Sequence, residues 1–383
     1  MLNFDYAATA PIDTKALKQT LDRIDEGLFG NPSSNHILGI KSKQLLEEAR
    51  ERVATCLNCD PDNIYFTSGG SESDNWALKG FMTQFPKEFE LITSTIEHPA
   101  ILNVCKELYK LGYNVKYVKP NSKGYIEPKE VEKLITDKTI MISIMAVNNE
   151  IGTIEPINEI AEIAHKYNII FHSDMVQGVG LYDIDLSNIN MASFSGHKFG
   201  SIKGTGILYC KGTPIIPLIH GGGQEKGLRS GTENVFGALN MSYALEHTLN
   251  KWSPEYTNSV RKYLENIKNK LYENFHDKVY LVSNDLSVPN CLSIGFKNID
   301  SKTLQLIMSQ KDILVSVGSA CHSKSDEISH VIKEINVPAQ YQNGVIRITS
   351  SPQNCKADFD ILSDNLIAVS YTHLRAHETV LDL

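Results

Sequence analysis

The sequence predicts an α/β fold, a mostly parallel sheet flanked by helices with a smaller mixed lobe after it. Three observations carry this. From about residue 39, helical stretches alternate with short apolar runs at 64–67, 90–93, 115–118, 140–147, 169–172 and 191–194. Strands separated by helices pair in parallel, because the crossover returns the chain to the same edge of the sheet. Apolar residues recur at three- and four-residue spacing in KSKQLLEEARERVATCL, PINEIAEIAHKY and 261–275, the period of helices that cover a sheet. Loops rich in Gly, Ser and Asn follow several strands: SGGSES at 68–73, NNEIG after Val147 and SDMVQG after His172. Open α/β sheets bind ligands at such carboxyl ends.

Beyond GGGQEKGLRSGTEN the pattern changes to longer helical stretches, followed by CLSIGF, the VSVGSACHS loop and the VIRIT strand. This predicts a second lobe from about residue 253. The last 13 residues, YTHLRAHETVLDL, read as a weak helix without an apolar face matching what precedes them.

At 383 residues the chain can bury two or three cores, and 42% hydrophobic with 21% charged residues is ordinary globular usage. With 37 basic and 45 acidic residues, net charge −8 and no basic stripe, neither direct nucleic-acid binding nor a polybasic membrane patch is expected. The longest apolar runs are of strand length, short of the roughly 18 residues of a membrane span. MLNFDYAATAPID lacks the basic start and apolar stretch of a secretory leader. Seven scattered cysteines suit reduced thiols, so a cytoplasmic location is expected. Cys56 and Cys59 form a lone C-x-x-C. With no second pair or His pair nearby, a zinc or redox site there is the weaker reading.

The chemistry begins with Asp174 at a strand end and Lys198, 24 residues on, framed by Ser195, Gly196 and His197. Pyridoxal phosphate needs both groups, a carboxylate to keep its pyridine nitrogen protonated and a lysine for its aldehyde. The alternative is an ordinary buried Asp and a surface Lys. Residues 66–73 run from a strand into a helix expected to begin near Ser71, and Gly69, Gly70 and Ser71 there offer N–H groups and a hydroxyl to an anion. Taken alone, the loop equally reads as a tight helix start, being neither a Walker loop nor a Rossmann fingerprint. His98 in TIEHPA could lie on an aromatic ring or cap a helix. Arg229, Ser230, Gly231 and Thr232 are expected to open a further helix suited to phosphate. Cys321, in a small-residue loop, is a candidate nucleophile or an inert half-buried thiol. Arg347 inside VIRIT would be costly to bury unless it faces an anion such as a substrate carboxylate.

Taken in order, FDYAATAPID, GNPSSNH, TSGGSESDN, EHPA, VNNEIG, HSDMVQ, SFSGHK, GGGQEKGLRSGTENV, GSAC and VIRIT resemble the cysteine desulfurases of the class V aminotransferase group, over nearly the whole chain. The resemblance implies the pyridoxal-phosphate type I fold, with a seven-stranded, mostly parallel sheet in a large domain at 13–252. A smaller α+β domain would comprise 1–12 and 253–370 and carry the cysteine loop, and 371–383 would be a non-family tail, poorly packed. The length of VGSACHSKSDEIS and the 26-residue gap from Cys321 to Arg347 fit the longer-loop group linked with iron–sulfur cluster assembly.

Carried over by motif, Lys198 would bind the cofactor's aldehyde, Asp174 its pyridine nitrogen and Gln177 its ring hydroxyl, with His98 on the ring. Gly70, Ser71, Ser195 and His197 would grip the phosphate, and Thr232 would reach it from the other subunit of a homodimer. Asn149 and Arg347 would bind the amino-acid end of L-cysteine. Cys321 would accept the sulfur as a persulfide and pass it to an iron–sulfur scaffold or a tRNA-thiolation protein. It is also a candidate transient ligand of an iron–sulfur cluster, with no resident metal expected. Ser71 stands where the family usually has Thr, and Ser201 and Ile202 replace its usual Gly-Pro. The alternatives are a selenocysteine lyase, another enzyme of the same fold, or a non-catalytic sulfur-carrier scaffold.

Overall fold

A computed structural model of the protein describes residues 1–318 and 328–381, with side chains as far as 371. A two-residue strand, β1 (Leu2–Asn3), opens the chain. Seven strands then build the principal sheet: β2 (Ile64–Thr67), β3 (Glu90–Ser94), β4 (Asn114–Val118), β5 (Thr139–Ser143), β6 (Ile170–Asp174), β7 (Met191–Ser195) and β8 (Gly206–Cys210). Their order in space is β2-β8-β7-β6-β5-β3-β4. Strand β8 is antiparallel to both neighbours, while β3 to β7 pair in parallel. Since β2 and β7 both oppose β8, β2 runs the same way as β7. The mostly parallel, helix-flanked sheet is therefore as expected.

Two details differ from the reading of the sequence. The run at 140–147 stays in the ladder only to Ser143, although Ile144 and Ala146 still donate to carbonyls of His172 and Asp174 on β6. The chain then turns back through the Val147–Ile154 bridge, which carries Asn149 out of the sheet. Strand β8 was absent from the apolar runs because GILYC lies between two glycine-bearing turns and has no helix before it to mark a crossover.

Helices cover the sheet with the faces their periodicity predicts. Ile157–Lys166 buries Ile157, Ile160, Ala161 and Ala164, and Pro99–Lys110 buries Ile101, Val104, Cys105 and Leu108. Helix Ile37–Cys56 packs on Val235–Lys251. From the first of these, buried Arg50 makes a double hydrogen bond to buried Glu225, both at 2.9 Å, and also donates to Ile64 O. Removing either partner would strand a buried charge, a loss of about 3–5 kcal/mol.

The second lobe contains β9 (Val279–Leu281), β10 (Cys291–Phe296), β11 (Ile313–Leu314) and β12 (Val345–Thr349). Strands β12, β10 and β9 form an antiparallel sheet in that order, and β11 pairs in parallel with β1. Helices Pro254–Phe275, Ser301–Gln310 and Lys356–Leu381 close over it, supplying Leu264, Ile267, Leu304, Met308, Leu362 and Leu366 to a core distinct from that of the large sheet. The packing of the tail past 371 lies outside the described side chains. Among the described residues no helix is long and apolar enough to cross a membrane.

Phe359 ties the two ends of this lobe together. Its ring meets Phe4 edge-on at 5.2 Å and Tyr263 at 5.1 Å, and Phe4 and Phe359 are both buried. Phe359→Ala should destabilise the lobe by about 3–5 kcal/mol, the usual loss for a large buried aromatic, read as a lower urea midpoint. An unchanged midpoint would mean that the lobe does not depend on this contact.

Candidate active site

Parallel strands present their carboxyl ends along one edge, and the loops leaving β2, β3, β5, β6 and β7 meet there around a cavity of about 640 Å³. Ser68, Gly69, Gly70 and Ser71 come from the first loop, His98 from the second, Met145 and Asn149 from the third. Asp174 and Gln177 follow β6, and Ser195, His197 and Lys198 follow β7. Arg347, from β12 of the second lobe, closes the wall. Gly70, Ser71, His98, Asn149, Asp174, Gln177, Ser195, His197, Lys198 and Arg347, all singled out in the sequence, thus line one space. Cys321 lies outside the described residues. Thr232 is exposed and does not line the cavity of its own chain.

The anion seat forms where helix Gly70–Met82 begins. Gly69 at its N-cap has φ 155° and no capping side chain, leaving first-turn N–H groups for a ligand. A Cβ on Gly70 would sit 2.7 Å from Val176 Cγ2, so the close approach of the two loops requires glycine. Glu72 braces the loop, accepting from Ser68 N at 2.8 Å and from Arg229 Nε at 2.8 Å. Arg229 is therefore an ion-pair partner of Glu72, which corrects its reading as a phosphate cation. The helix expected at 229–232 also begins later, at Val235, where Asn234 caps by accepting from Gly237 N.

Asp174 is buried, and its Oδ1 accepts from Val176 N at 2.9 Å. Burial pushes its carboxyl above the ordinary value, against the pull of that N–H and of the Lys198 ammonium. Asp74 behind it is raised further, by burial and by Asp174 itself. His172 lies 3.7 Å from Asp74 Oδ1, held between Ser143 Oγ at 2.9 Å and Ser193 Oγ at 3.0 Å. Burial lowers its pKa to about 3, so the ring is neutral and brings no charge to the acids. A cation placed against Asp174 would relieve this cost, since an opposite charge favours the ionised form.

The amino-terminal segment forms the remaining wall. Lys198 Nζ donates to the carbonyls of Ala7 at 2.7 Å and Ala8 at 2.9 Å, and Gln177 Nε2 also donates to Ala7 O at 2.9 Å. His197 Nδ1 and Thr9 Oγ1 are 3.2 Å apart, and burial with the nearby Lys198 and Lys203 lowers the His197 pKa to about 4. His98 Nδ1 accepts from Ala100 N at 3.2 Å, so the residue caps its helix and lines the cavity at once. Arg347 Nη2 donates to Asp5 Oδ1 at 2.9 Å and Nη1 to the Asn149 carbonyl. FDYAATAPID was legible as a motif, but neither Asp5 nor the Ala7 and Ala8 carbonyls carried any signal of what they touch. Cys56 and Cys59 sit at the end of helix Ile37–Cys56, where burial pushes both thiols up to about 11 and so away from the thiolate form.

Pyridoxal phosphate fits this cavity. The capless glycine-lined helix start suits its phosphate, buried Asp174 calls for the cation that its pyridine nitrogen becomes, and Lys198 lines the same space. A lysine, strand-end carboxylate and phosphate seat at the carboxyl edge of such a sheet define a pyridoxal-phosphate-dependent enzyme of fold type I. The chain belongs to the class V aminotransferase family, in its cysteine desulfurase branch: the Aminotransferase class-V profile matches residues 2–362. Cysteine desulfurase IscS of Clostridium botulinum strain Hall is 39% identical over 372 residues, covering 94% of this chain and 92% of that protein. A solved NifS-like protein superposes with TM-score 0.87 at 37% identity, covering 96% of this chain and 98% of the other. A structure of SspA in complex with cysteine gives 0.81 at 34%, covering 93% and 100%. The family is pyridoxal-phosphate dependent.

Glu97, just before His98, offers a test of the electrostatics here. Its carboxylate accepts from Ser94 Oγ at 2.6 Å and Met145 N at 3.1 Å, yet burial raises its pKa to about 8. The unfolded carboxyl ionises near the ordinary glutamate value of 4.5, so between pH 4.5 and about 8 the native state binds the extra proton and stability falls as pH rises. Glu97→Gln keeps an acceptor for both bonds and should flatten that fall, with a melting temperature a few degrees above the parent at pH 8 and little difference at pH 5. Parallel melting curves for the two proteins would contradict the assignment.

Proposed function

We propose that the protein is a cysteine desulfurase that converts L-cysteine to L-alanine and collects the sulfur as a persulfide on Cys321. The observation that carries this is the single cavity in which Lys198, Asp174, His98 and Arg347 meet, in a chain whose relatives are desulfurases. That SspA, at 34% identity, was captured with cysteine supports the same substrate class here. Bound in the cavity, the cofactor would supply an electron sink that loosens bonds at the substrate's α and β carbons.

The chain's own groups then divide the work. Gly70, Ser71, Ser195 and His197 would hold the phosphate, Asp174 the pyridine nitrogen and Gln177 the ring hydroxyl, with His98 placed to contact the ring. Arg347 and Asn149 orient the substrate by its amino-acid end. Lys198 Nζ removes the α proton and returns one to carbon later, and the Ala7 and Ala8 carbonyls, as acceptors, steer Nζ between them. The Cys321 thiolate attacks the substrate sulfur: an S–S bond forms, the C–S bond breaks, and its electron pair stays with the carbon, which is protonated to give alanine.

A homodimer completes the assignment. Phe29 and Ile37 are 73% and 70% exposed, apolar side chains that a partner subunit would cover. Thr232, exposed on its own chain, would serve the partner's phosphate seat. We assign residues 13–252 to the cofactor domain and 1–12 with 253–370 to the smaller one, leaving 371–383 outside. The acceptor of the sulfur would be a protein, an iron–sulfur scaffold or a tRNA-thiolation factor.

Loaded with cofactor, the purified protein should show visible absorbance that shifts on adding L-cysteine, with sulfide and alanine formed together. Cys321→Ser should keep the absorbance and its shift while losing at least 100-fold in sulfide production. Sulfide release unaffected by Cys321→Ser, or turnover of selenocysteine but not cysteine, would overturn the reading.

A further inference from the structure

The Arg347 guanidinium is already engaged inside its own chain. Nη2 donates to Asp5 Oδ1 at 2.9 Å, Nη1 donates to the Asn149 carbonyl, and Nε is buried without an acceptor. Arg347 lines the cavity and Asp5 does not, so the carboxylate reaches the guanidinium from behind. It is firmly placed there. Thr349 N donates to Phe4 O at 2.7 Å, Tyr6 N to Thr349 O at 3.2 Å, and Asp5 N to Asn3 Oδ1 at 2.9 Å, which fixes the backbone on both sides. The arginine side chain is 3% exposed and that of Asp5 26%, so their charges act on each other with only partial screening by water.

We propose that Asp5 is an affinity-setting residue: a fixed internal carboxylate that balances Arg347 and limits how tightly the cavity holds the substrate's α-carboxylate. This rests on the reading above that Arg347 receives that group. A second carboxylate on the cavity side of the guanidinium is attracted by Arg347 and repelled by Asp5, whose net pull is weaker than that of a lone arginine. The chemistry gives such weakening a purpose. Substrate cysteine and product alanine carry the same carboxylate, so a stronger grip would bind both alike, without favouring the transition state, and would slow product departure. The balanced pair also keeps simple anions off a site that a lone buried guanidinium would otherwise hold for them.

Asp5→Asn isolates the charge, because the amide Oδ1 can still accept from Nη2. Binding is read without turnover, by titrating the visible absorbance of cofactor-loaded protein with L-alanine, and then with acetate as competitor. The expected result is alanine binding about tenfold tighter than in the parent, with acetate becoming a measurable competitor. Asp5→Ala, which removes charge and acceptor together, should also tighten alanine, which guards against an effect of the amide itself. Alanine binding that is unchanged or weaker in both variants overturns the inference. Arg347→Gln separates this failure from failure of the functional reading. If it leaves alanine affinity intact, the carboxylate seat itself is misassigned; if it abolishes binding while the Asp5 variants fail to tighten it, only the role of Asp5 falls.

Discussion

The shared direction of the parallel strands is the constraint on which the site depends. Strands β3, β5, β6 and β7 pair in parallel and β2, beyond antiparallel β8, runs with them, so five carboxyl ends open on one edge. Backbone N–H groups and strand-end side chains are concentrated there, because the strands stop and the crossover helices have not yet begun. Asp174 ends β6 opposite Ser193, and Ser195 ends β7 two residues further on, so the ladder fixes the offset between the carboxylate of one strand and the hydroxyl of its neighbour. Exchanging any one loop would leave the others in register, because the ladder rather than the loops sets the distances.

The amino-terminal segment converts an open edge into a closed cavity. It pairs with β11 through β1, docks on β12 through Thr349, and turns its Ala7 and Ala8 carbonyls to Lys198. Both lobes therefore contribute to the same wall: Lys198 and Gln177 from the large sheet and Arg347 from the small one each touch this segment. Phe4, in the core of the second lobe, anchors it from below. A flexible lysine is in this way given a defined resting place by two main-chain acceptors, which lowers the entropy lost when it is positioned for reaction.

Electrostatics in the large lobe favours a ligand with a positive ring and a negative tail. Asp174 and Asp74 are buried close to neutral His172, while the helix start at Gly70 offers partial positive charge about one loop away. Buried acids without a cation are costly, and that cost is what binding of a cationic ring recovers. Arg50 and Glu225 serve a different purpose beside β2: their buried pair holds the loop preceding Arg229, which in turn grips Glu72 of the phosphate seat.

The alternation of helical and strand periods determined the sheet, and the order of short motifs along the chain pointed to the cofactor where Asp174, Lys198 and the glycine-serine turn by themselves left an alternative open, because such patterns depend on residues near one another in the chain. Short-range pattern also singled out His98, Ser195 and His197, and all three line the cavity. It misplaced the helix at 229–232, where Arg229 pairs with Glu72, 157 residues away, and it could not find β8, whose five residues gain their identity only from the strands on either side. The contacts of Asp5 with Arg347 and of Ala7 with Lys198 span 342 and 191 residues. No local propensity encodes such pairs. They exist because folding brings two lobes and the chain's beginning to one sheet edge, and there the tertiary structure alone decided which charge faces which.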